Sequence, residues 1–93
     1  MDWQDSTEQE PPYQVVESET FTQQVQAILK DLPRWNEIKR VLALDLPRDT
    51  SIYPLVPGTD VLFVTLAIFP PITVYFTIDH NKRQIILLEL HRV

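Results

Sequence analysis

The chain has 93 residues, of which 44% are hydrophobic, and it contains no cysteine. A chain of this length supports one small core, and the absence of thiols excludes disulfides, thiolate zinc sites and a cysteine nucleophile. The net charge of −5 is unevenly distributed, because residues 1–20 hold six acids and no base, whereas residues 21–93 hold seven acids and eight bases. The near-neutral second part lacks the strongly positive field of proteins that bind nucleic acid through phosphates, so no DNA partner is expected.

Residues 1–12 are acidic and rich in glutamine, and they end in Pro11-Pro12. This composition cannot bury enough apolar surface to order itself. Residues 1–12 are therefore predicted to be a disordered acidic tail, and residues 13–93 a single domain. The N-terminus has no basic region followed by an apolar run, which predicts that there is no signal peptide and that the protein is cytoplasmic.

The first elements of the predicted domain are a short strand and a helix. Tyr13–Val16 has β-propensity and is predicted to be an edge of the sheet or a neighbour of its other strands. Thr20 to Gln23 has the capping-box pattern, which predicts that a helix begins at Thr20. Apolar residues then recur at helical spacing and predict one buried stripe: Phe21, Val25, Ile28, Leu29 and Leu32.

A second helix is predicted from about Arg34 to Leu44. Asp31 is a suitable cap for it, and proline is favourable in a first helical turn, which Pro33 would occupy. Leu46-Pro47 ends the helix. Its predicted inward-facing residues are Trp35, Ile38, Val41 and Leu42. The two helices form a helical hairpin that can lie across one face of a sheet.

Turn formers separate the remaining segments. Ile52–Val56 is predicted to be a short edge strand, because Pro54 disfavours a central position. The next turn, Val56–Thr59, has proline and glycine at its two central positions, which is typical of a type II turn. Val61–Phe69 is almost continuously apolar and is predicted to be a strand buried on both faces.

A three-stranded antiparallel meander is predicted for the C-terminal part. Val61–Ile78 is long enough for a membrane helix, but Pro70-Pro71 interrupts it and Ile72–Ile78 alternates with the period of a strand. A hairpin is therefore predicted and no membrane span. Gln84–Leu90 follows a polar turn and closes the sheet.

The order strand, helix, helix and meander, ending in His91-Arg92, resembles the RelE/ParE superfamily of toxin–antitoxin toxins. Tyr13–Val16 followed by Phe21 is similar to the family's opening strand and first helix. Val74–Asp79, a polar turn and Ile85–Leu88 are similar to its last two strands. The resemblance covers the predicted domain and implies a RelE-like α+β fold, in which an N-terminal strand and a helical hairpin pack on a C-terminal antiparallel meander of three to four strands.

The resemblance also implies where catalytic groups would lie. Members that cleave messenger RNA on the ribosome carry cations and acid–base residues on the exposed sheet face, because the scissile phosphate needs charge stabilisation and a proton must move. Two positions that are commonly arginine in the family fall on Thr73 and Thr77, and a tyrosine position falls on Phe76. Basic positions of the preceding strand fall near Leu66 and Ile68. The resemblance therefore implies weak or absent ribonuclease activity.

Three residues at the end of the last strand remain as candidate catalytic groups. Glu89 lies two residues before His91 and so shares its face of the strand. An imidazole beside a carboxylate can act as a general base or acid, and Arg92 could hold a phosphate. The alternative is that all three are solvated residues at a strand terminus. His80 and Asp79 do not complete a metal-ligand set with His91, so no metal or other cofactor is expected.

Three functions are compatible with the sequence. The first is a toxin-like component of a type II toxin–antitoxin system that binds an antitoxin-like protein and has weak or absent ribonuclease activity. The second is a stand-alone interaction module or homodimer. The third is an active ribosome-dependent mRNA endoribonuclease. The predicted partner-binding surface is Leu66, Ile68, Thr73, Tyr75 and Thr77. A basic scatter on the helices would face the ribosome or RNA, or would be an ordinary solvated face: Lys30, Arg34, Lys39, Arg40 and Arg48.

Overall fold

Two helices lie on one face of a four-stranded sheet in the structure, a computed structural model that describes residues 13–93. In chain order the elements are β1 (Gln14–Glu17), α1 (Glu19–Ile28), α2 (Leu32–Asp45), a 3-10 turn (Thr50–Ile52), β2 (Leu62–Leu66), β3 (Ile72–Asp79) and β4 (Gln84–Arg92). The strand order is β1-β4-β3-β2, with β1 parallel to β4 and the other neighbours antiparallel. The predicted α+β fold with its C-terminal meander is confirmed. The predicted tail, residues 1–12, lies outside the described residues.

The alternation along β3 separates the two faces of the sheet. Ile72, Val74 and Phe76 are fully buried against the helices, while Thr73 and Tyr75 between them are only partly buried. Each fully buried apolar side chain contributes about 2 kcal/mol relative to exposure. The buried core spans the helices and the sheet: Phe21, Val25, Trp35, Leu42, Leu46, Ile72, Val74, Phe76, Ile85, Leu87 and Leu90.

Helix α1 begins earlier than the sequence pattern predicts. Its N-cap is Ser18, whose Oγ accepts a hydrogen bond from the Phe21 N–H at 3.0 Å. Ser18 has the extended backbone of a capping residue, whereas Thr20 already lies inside the first turn, so the predicted cap is wrong. Of the predicted stripe, Leu32 is exposed, because α1 has ended before it and Leu32 opens α2 instead.

Helix α2 is capped as predicted. The Asp31 Oδ1 accepts a hydrogen bond from the Arg34 N–H at 3.1 Å. Trp35 and Leu42 are buried, but Val41 is 55% exposed, so its predicted inward position is wrong. Successive residues are separated by about 100° around a helix, and one sheet contact buries only a narrow stripe. Neither α1 nor α2 is long and apolar enough to cross a membrane, and the same holds for all helices within residues 13–93.

Strand β2 is the second edge of the sheet and is shorter than predicted. Among the strands it pairs only with β3, and Thr65 is exposed, so the prediction of a strand buried on both faces is wrong. A continuous apolar run does not distinguish a central strand from an edge strand whose outer face is only partly covered.

The segment before β2 is a turn and a single bridge. The predicted edge strand over Ile52–Val56 is replaced by the 3-10 turn and by an isolated antiparallel bridge between Leu55 and Leu62. The predicted type II turn is confirmed, because Gly58 has a φ of 80° and the Thr59 N–H donates to the Val56 carbonyl at 3.1 Å.

Candidate functional site

The face of the sheet that points away from the helices, here called the outer face, collects most of the predicted site residues. Directly opposite residues of an antiparallel pair lie on the same face, so Phe63 shares a face with Tyr75, and Thr73 shares it with His91. The outer face of β2, β3 and β4 comprises Phe63, Thr65, Thr73, Tyr75, Thr77, Ile86, Leu88, Glu89 and His91.

A β-bulge in β4 determines which residues reach the outer face. Phe76 is opposite Leu87 and Tyr75 is opposite Glu89, so Leu88 is the extra residue. A bulge allows two successive residues to point to the same side. Leu87 and Leu90 are both fully buried, which requires that Leu88 and Glu89 both face outward. Without the bulge, strict alternation would direct the Glu89 carboxylate into the core.

Side chains near the start of α1 and within it hold the bulged part of β4. Strand β1 pairs with β4 only as far as Leu87, and beyond that point the backbone of β4 would lack partners on this edge. The Ser18 Oγ donates to the Leu88 carbonyl at 2.8 Å, and the Gln24 Oε1 accepts from the Leu90 N–H at 2.6 Å. These bonds satisfy backbone groups that would otherwise be unpaired beside the core. Neither role is predictable from the local sequence, since nothing near Ser18 or Gln24 marks either residue as the partner of a distant strand.

Glu89 and His91 form the polar pair that was predicted from their spacing. The His91 Nε2 lies 2.7 Å from the Glu89 Oε1, and both side chains are about half exposed, at 51% and 55%. The carboxylate accepts this hydrogen bond from the Nε2, so the Nδ1 of the imidazole is not bound by Glu89.

An aromatic row crosses the outer face beside this pair. The ring of Tyr75 packs edge-on against His91, with 5.4 Å between centroids. It packs at a tilt of 38° against Phe63, with 5.6 Å between centroids. Such pairs contribute about 0.5–1.5 kcal/mol beyond their burial. Phe63 belongs to this row although the sequence analysis assigned it no role; its position opposite Tyr75 depends on a strand register that the apolar run does not reveal.

Arg92 does not join Glu89 and His91. It lies opposite Ile72, whose side chain is buried on the helix side, so Arg92 projects toward that side at the end of the sheet. Arg92 is the only lysine or arginine within the four strands. The strand residues of the outer face therefore provide no fixed positive charge.

Three of the five residues of the predicted basic scatter have local partners. The Arg34 guanidinium donates to the Phe69 carbonyl at 2.9 Å, and Lys39 lies 2.9 Å from the Glu17 carboxylate. Arg48 lies 3.8 Å from Asp45. These contacts favour an ordinary solvated face over a phosphate-binding surface, because three of the five cations are already engaged within residues 13–93.

The predicted partner-binding residues are divided between two sides of the sheet. Leu66 is opposite the buried Ile72, and both Leu66 and Ile68 pack against the core. Thr73, Tyr75 and Thr77 lie on the outer face. The five residues therefore do not form one continuous surface, because the apolar run of β2 gave no indication of which residues face the helices.

Two cavities lined by residues within 13–93 open near the outer face. One, of about 260 Å³, is lined by Val56, Val61, Tyr75, Leu88 and Glu89, and its walls are mostly apolar. The other, of about 460 Å³, lies at the β3–β4 turn and is lined by Asp60, Thr77, Ile78, Asp79, His80, Asn81 and Ile86. In the part of the chain that the structure describes, no group of three or more potential ligands is arranged to hold a metal ion.

His80 has a local role in the turn between β3 and β4. Its Nδ1 lies 2.7 Å from the Tyr13 hydroxyl, and the Arg83 guanidinium lies 4.5 Å from the centre of the Tyr13 ring. These contacts connect the β3–β4 turn to the residue that precedes β1.

Chains of two solved toxin–antitoxin complexes are similar in structure to most of this chain. A chain of the crystal structure of the intact E. coli RelBE toxin–antitoxin complex superposes with a TM-score of 0.64 and 14% identity, over 87% of this chain and 96% of that chain. A chain of the toxin–antitoxin complex RelBE2 from Mycobacterium tuberculosis gives a TM-score of 0.61 and 19% identity, over 88% and 92%. The chain has a RelE-like fold. No protein-family model and no curated protein sequence matches it.

Within this RelE-like fold, the outer face offers one acid–base pair without a neighbouring cation. The Glu89–His91 pair has the residue types of a general acid or base. A phosphoryl transition state also requires positive charge or several aligned donors, and Thr65 and Thr73, which share a 3.2 Å hydrogen bond with each other, are uncharged. The geometry therefore supports binding on this face more strongly than phosphate chemistry.

Proposed function

We propose that the chain is the toxin-like member of a type II toxin–antitoxin pair, that it acts by binding an antitoxin-like protein, and that its ribonuclease activity is weak or absent. The RelE-like fold supports the first part. The observation that carries the last part is the charge of the outer face, because the strands hold one cation, Arg92, and it projects to the other side.

The magnitude of the missing interaction supports weak activity. Removing a single donor that stabilises transition-state charge typically lowers the turnover of an enzyme by about a hundredfold or more. Thr73 and Thr77 stand where the resemblance places two arginines. Their neutral hydroxyls leave a developing phosphorane with no charged donor from β3.

Expression without a partner tests the catalytic part of the proposal. We expect little or no growth arrest when the chain is induced alone, and no cleavage of messenger RNA when the purified chain is added to translating ribosomes. A strong arrest that His91→Ala abolishes would contradict the proposal. It would favour the alternative of an active endoribonuclease that uses the Glu89–His91 pair.

Co-expression with the product of the adjacent reading frame tests the binding part. We expect a complex that co-elutes in size-exclusion chromatography and that Thr73→Arg on the outer face weakens. Leu44→Arg is the matched control, because Leu44 is an exposed apolar residue on α2. Helix α2 lies on the side of the sheet opposite the outer face. Elution of the chain at a dimeric mass, unchanged by that product, would instead indicate a stand-alone homodimer.

A further inference from the structure

The smaller cavity beside Tyr75, called here the Tyr75 cavity, is a small apolar cavity with one carboxylate at its wall. It is lined by Val56, Val61, Tyr75, Leu88 and Glu89, and its volume is about 260 Å³. Cavities that bury small organic ligands usually begin at about 300 Å³. The size therefore suits a single long side chain better than a free cofactor.

The walls of the Tyr75 cavity are apolar except for one carboxylate. Four of the five lining residues present apolar or aromatic surface, and Glu89 places one carboxylate at the wall. The Glu89 Oε1 is bound by His91, while the Oε2 has no hydrogen-bond partner among the described residues. A ligand that enters can thus use one carboxylate oxygen without displacing the imidazole.

Electrostatics on the outer face favour a cation at this place. The ring of Tyr75 lines the cavity and packs against the ring of Phe63, and an aromatic face attracts a cation that lies over it. No lysine or arginine projects from the four strands to the outer face, so none of the strand residues places a fixed positive charge beside the ligand.

We propose that the Tyr75 cavity binds an arginine side chain of the partner protein. This inference rests on the proposed function, since it names the chemistry of the partner on the outer face. Arginine fits better than lysine, because its flat guanidinium can stack on Tyr75 and its N–H groups can bind the free oxygen of Glu89 at the same time. The methylene stem of the arginine would cover the apolar wall of Val56, Val61 and Leu88.

A pair of small probes tests the charge requirement. N-acetyl-arginine methylamide and the neutral analogue N-acetyl-citrulline methylamide are titrated into the isotope-labelled full chain, and amide chemical shifts are followed by NMR. We expect the arginine probe to shift the amides of Val61, Tyr75, Leu88 and Glu89 in a saturable manner. We expect the citrulline probe to bind about fivefold more weakly, as for an exposed charge pair worth about 1 kcal/mol.

Two matched variants test the role of the carboxylate. Glu89→Gln should weaken the arginine probe by about fivefold, whereas Glu37→Gln, which neutralises an exposed carboxylate on α2, should leave it unchanged. Because Glu89 is exposed, its variant should give the spectrum of a folded chain. Equal binding of both probes, shifts confined to another surface, or an unchanged affinity of Glu89→Gln would overturn the inference.

The outcome separates this inference from the proposed function. If the arginine probe does not bind but the product of the adjacent reading frame still forms a complex, the inference is wrong and the proposed function stands. If the probe binds at the Tyr75 cavity and no complex forms with that product, the cavity is a cation receptor and the proposed function is wrong.

Discussion

Glu17 is the residue whose removal should reveal how β1 is joined to both helices. Its Oε2 accepts hydrogen bonds from the Trp35 Nε1 at 2.9 Å and from the Lys39 Nζ at 2.9 Å, and its Oε1 accepts from the Thr22 hydroxyl at 2.9 Å. Trp35 is only 2% exposed. Glu17→Ala therefore leaves a buried indole N–H without an acceptor, which costs about 1–3 kcal/mol.

The expected magnitudes differ between two substitutions. The Lys39 pair is partly exposed and adds about 0.2–1 kcal/mol, so Glu17→Ala should lower the free energy of unfolding by about 2–3 kcal/mol. Glu17→Gln keeps an acceptor for Trp35 but loses the charge, and it should cost about 1 kcal/mol. Glu37→Gln, on the exposed surface of α2, should change stability by less than about 0.5 kcal/mol.

Urea unfolding followed by far-UV circular dichroism measures these differences. Equal stability of Glu17→Gln, Glu37→Gln and the unmodified chain at pH 7 would refute the reasoning, because the carboxylate would then contribute nothing beyond a neutral acceptor. A change in the slope of the transition for the Glu17 variants would indicate that the folded or unfolded state has changed compactness.

The pH dependence of the same comparison provides an independent check. Burial alone would raise the pKa of Glu17, but the hydrogen bonds from Trp35, Lys39 and Thr22 and the charge of Lys39 outweigh burial and hold the pKa below its ordinary value of 4.5. A carboxylate with a lowered pKa contributes stability above the unfolded-state pKa and loses it as the pH falls through the folded-state pKa. The stability difference between the unmodified chain and Glu17→Gln should thus be constant near neutral pH and shrink in acid.

Three further predictions concern the supports of the sheet. Gln24→Ala should cost about 1–2 kcal/mol, because an amide of β4 loses its acceptor, while Gln23→Ala at the exposed neighbouring position should be nearly neutral by urea unfolding. Gly58→Ala should cost about 1 kcal/mol through its positive φ alone, since an added Cβ meets no atom within 4 Å, and a loss of more than a few kcal/mol in thermal unfolding would contradict this explanation. Leu42→Ala should cost about 2–5 kcal/mol, whereas Val41→Ala should leave the melting temperature almost unchanged because Val41 is largely exposed.

The elements of this fold were predictable from the sequence because most of them carry strong local signals. The alternation of Ile72–Ile78, the cap at Asp31 and the proline–glycine turn at Gly58 each depend on neighbouring residues, and the structure confirms each one. Predictions that depended on contacts distant in sequence were less successful. Val41 and Leu32 are apolar and helical, yet only the position of the sheet decides that they remain exposed.

The candidate site was predictable only in part, for the same physical reason. The spacing of Glu89 and His91 places them on one face of a strand, and they do form a hydrogen bond. The same alternation sends Arg92 to the opposite face, so the predicted group of three separates. The bulge at Leu88 has no signal in a run of aliphatic residues, because each of them is compatible with either face.

The bulge connects the fold to the proposed function. Leu90 must be buried to complete the core, and His91 then faces outward by alternation. Glu89 lies on the face of His91 by the same alternation, and the bulge at Leu88 allows Leu87 to be buried as well as Leu90. The Gln24 side chain accepts a hydrogen bond from the Leu90 N–H, next to Glu89 in the strand. A helix residue therefore helps to position the carboxylate of the outer face. It follows that Gln24→Ala should disturb the Glu89–His91 pair as well as stability, because Leu90 lies between Glu89 and His91 in the strand.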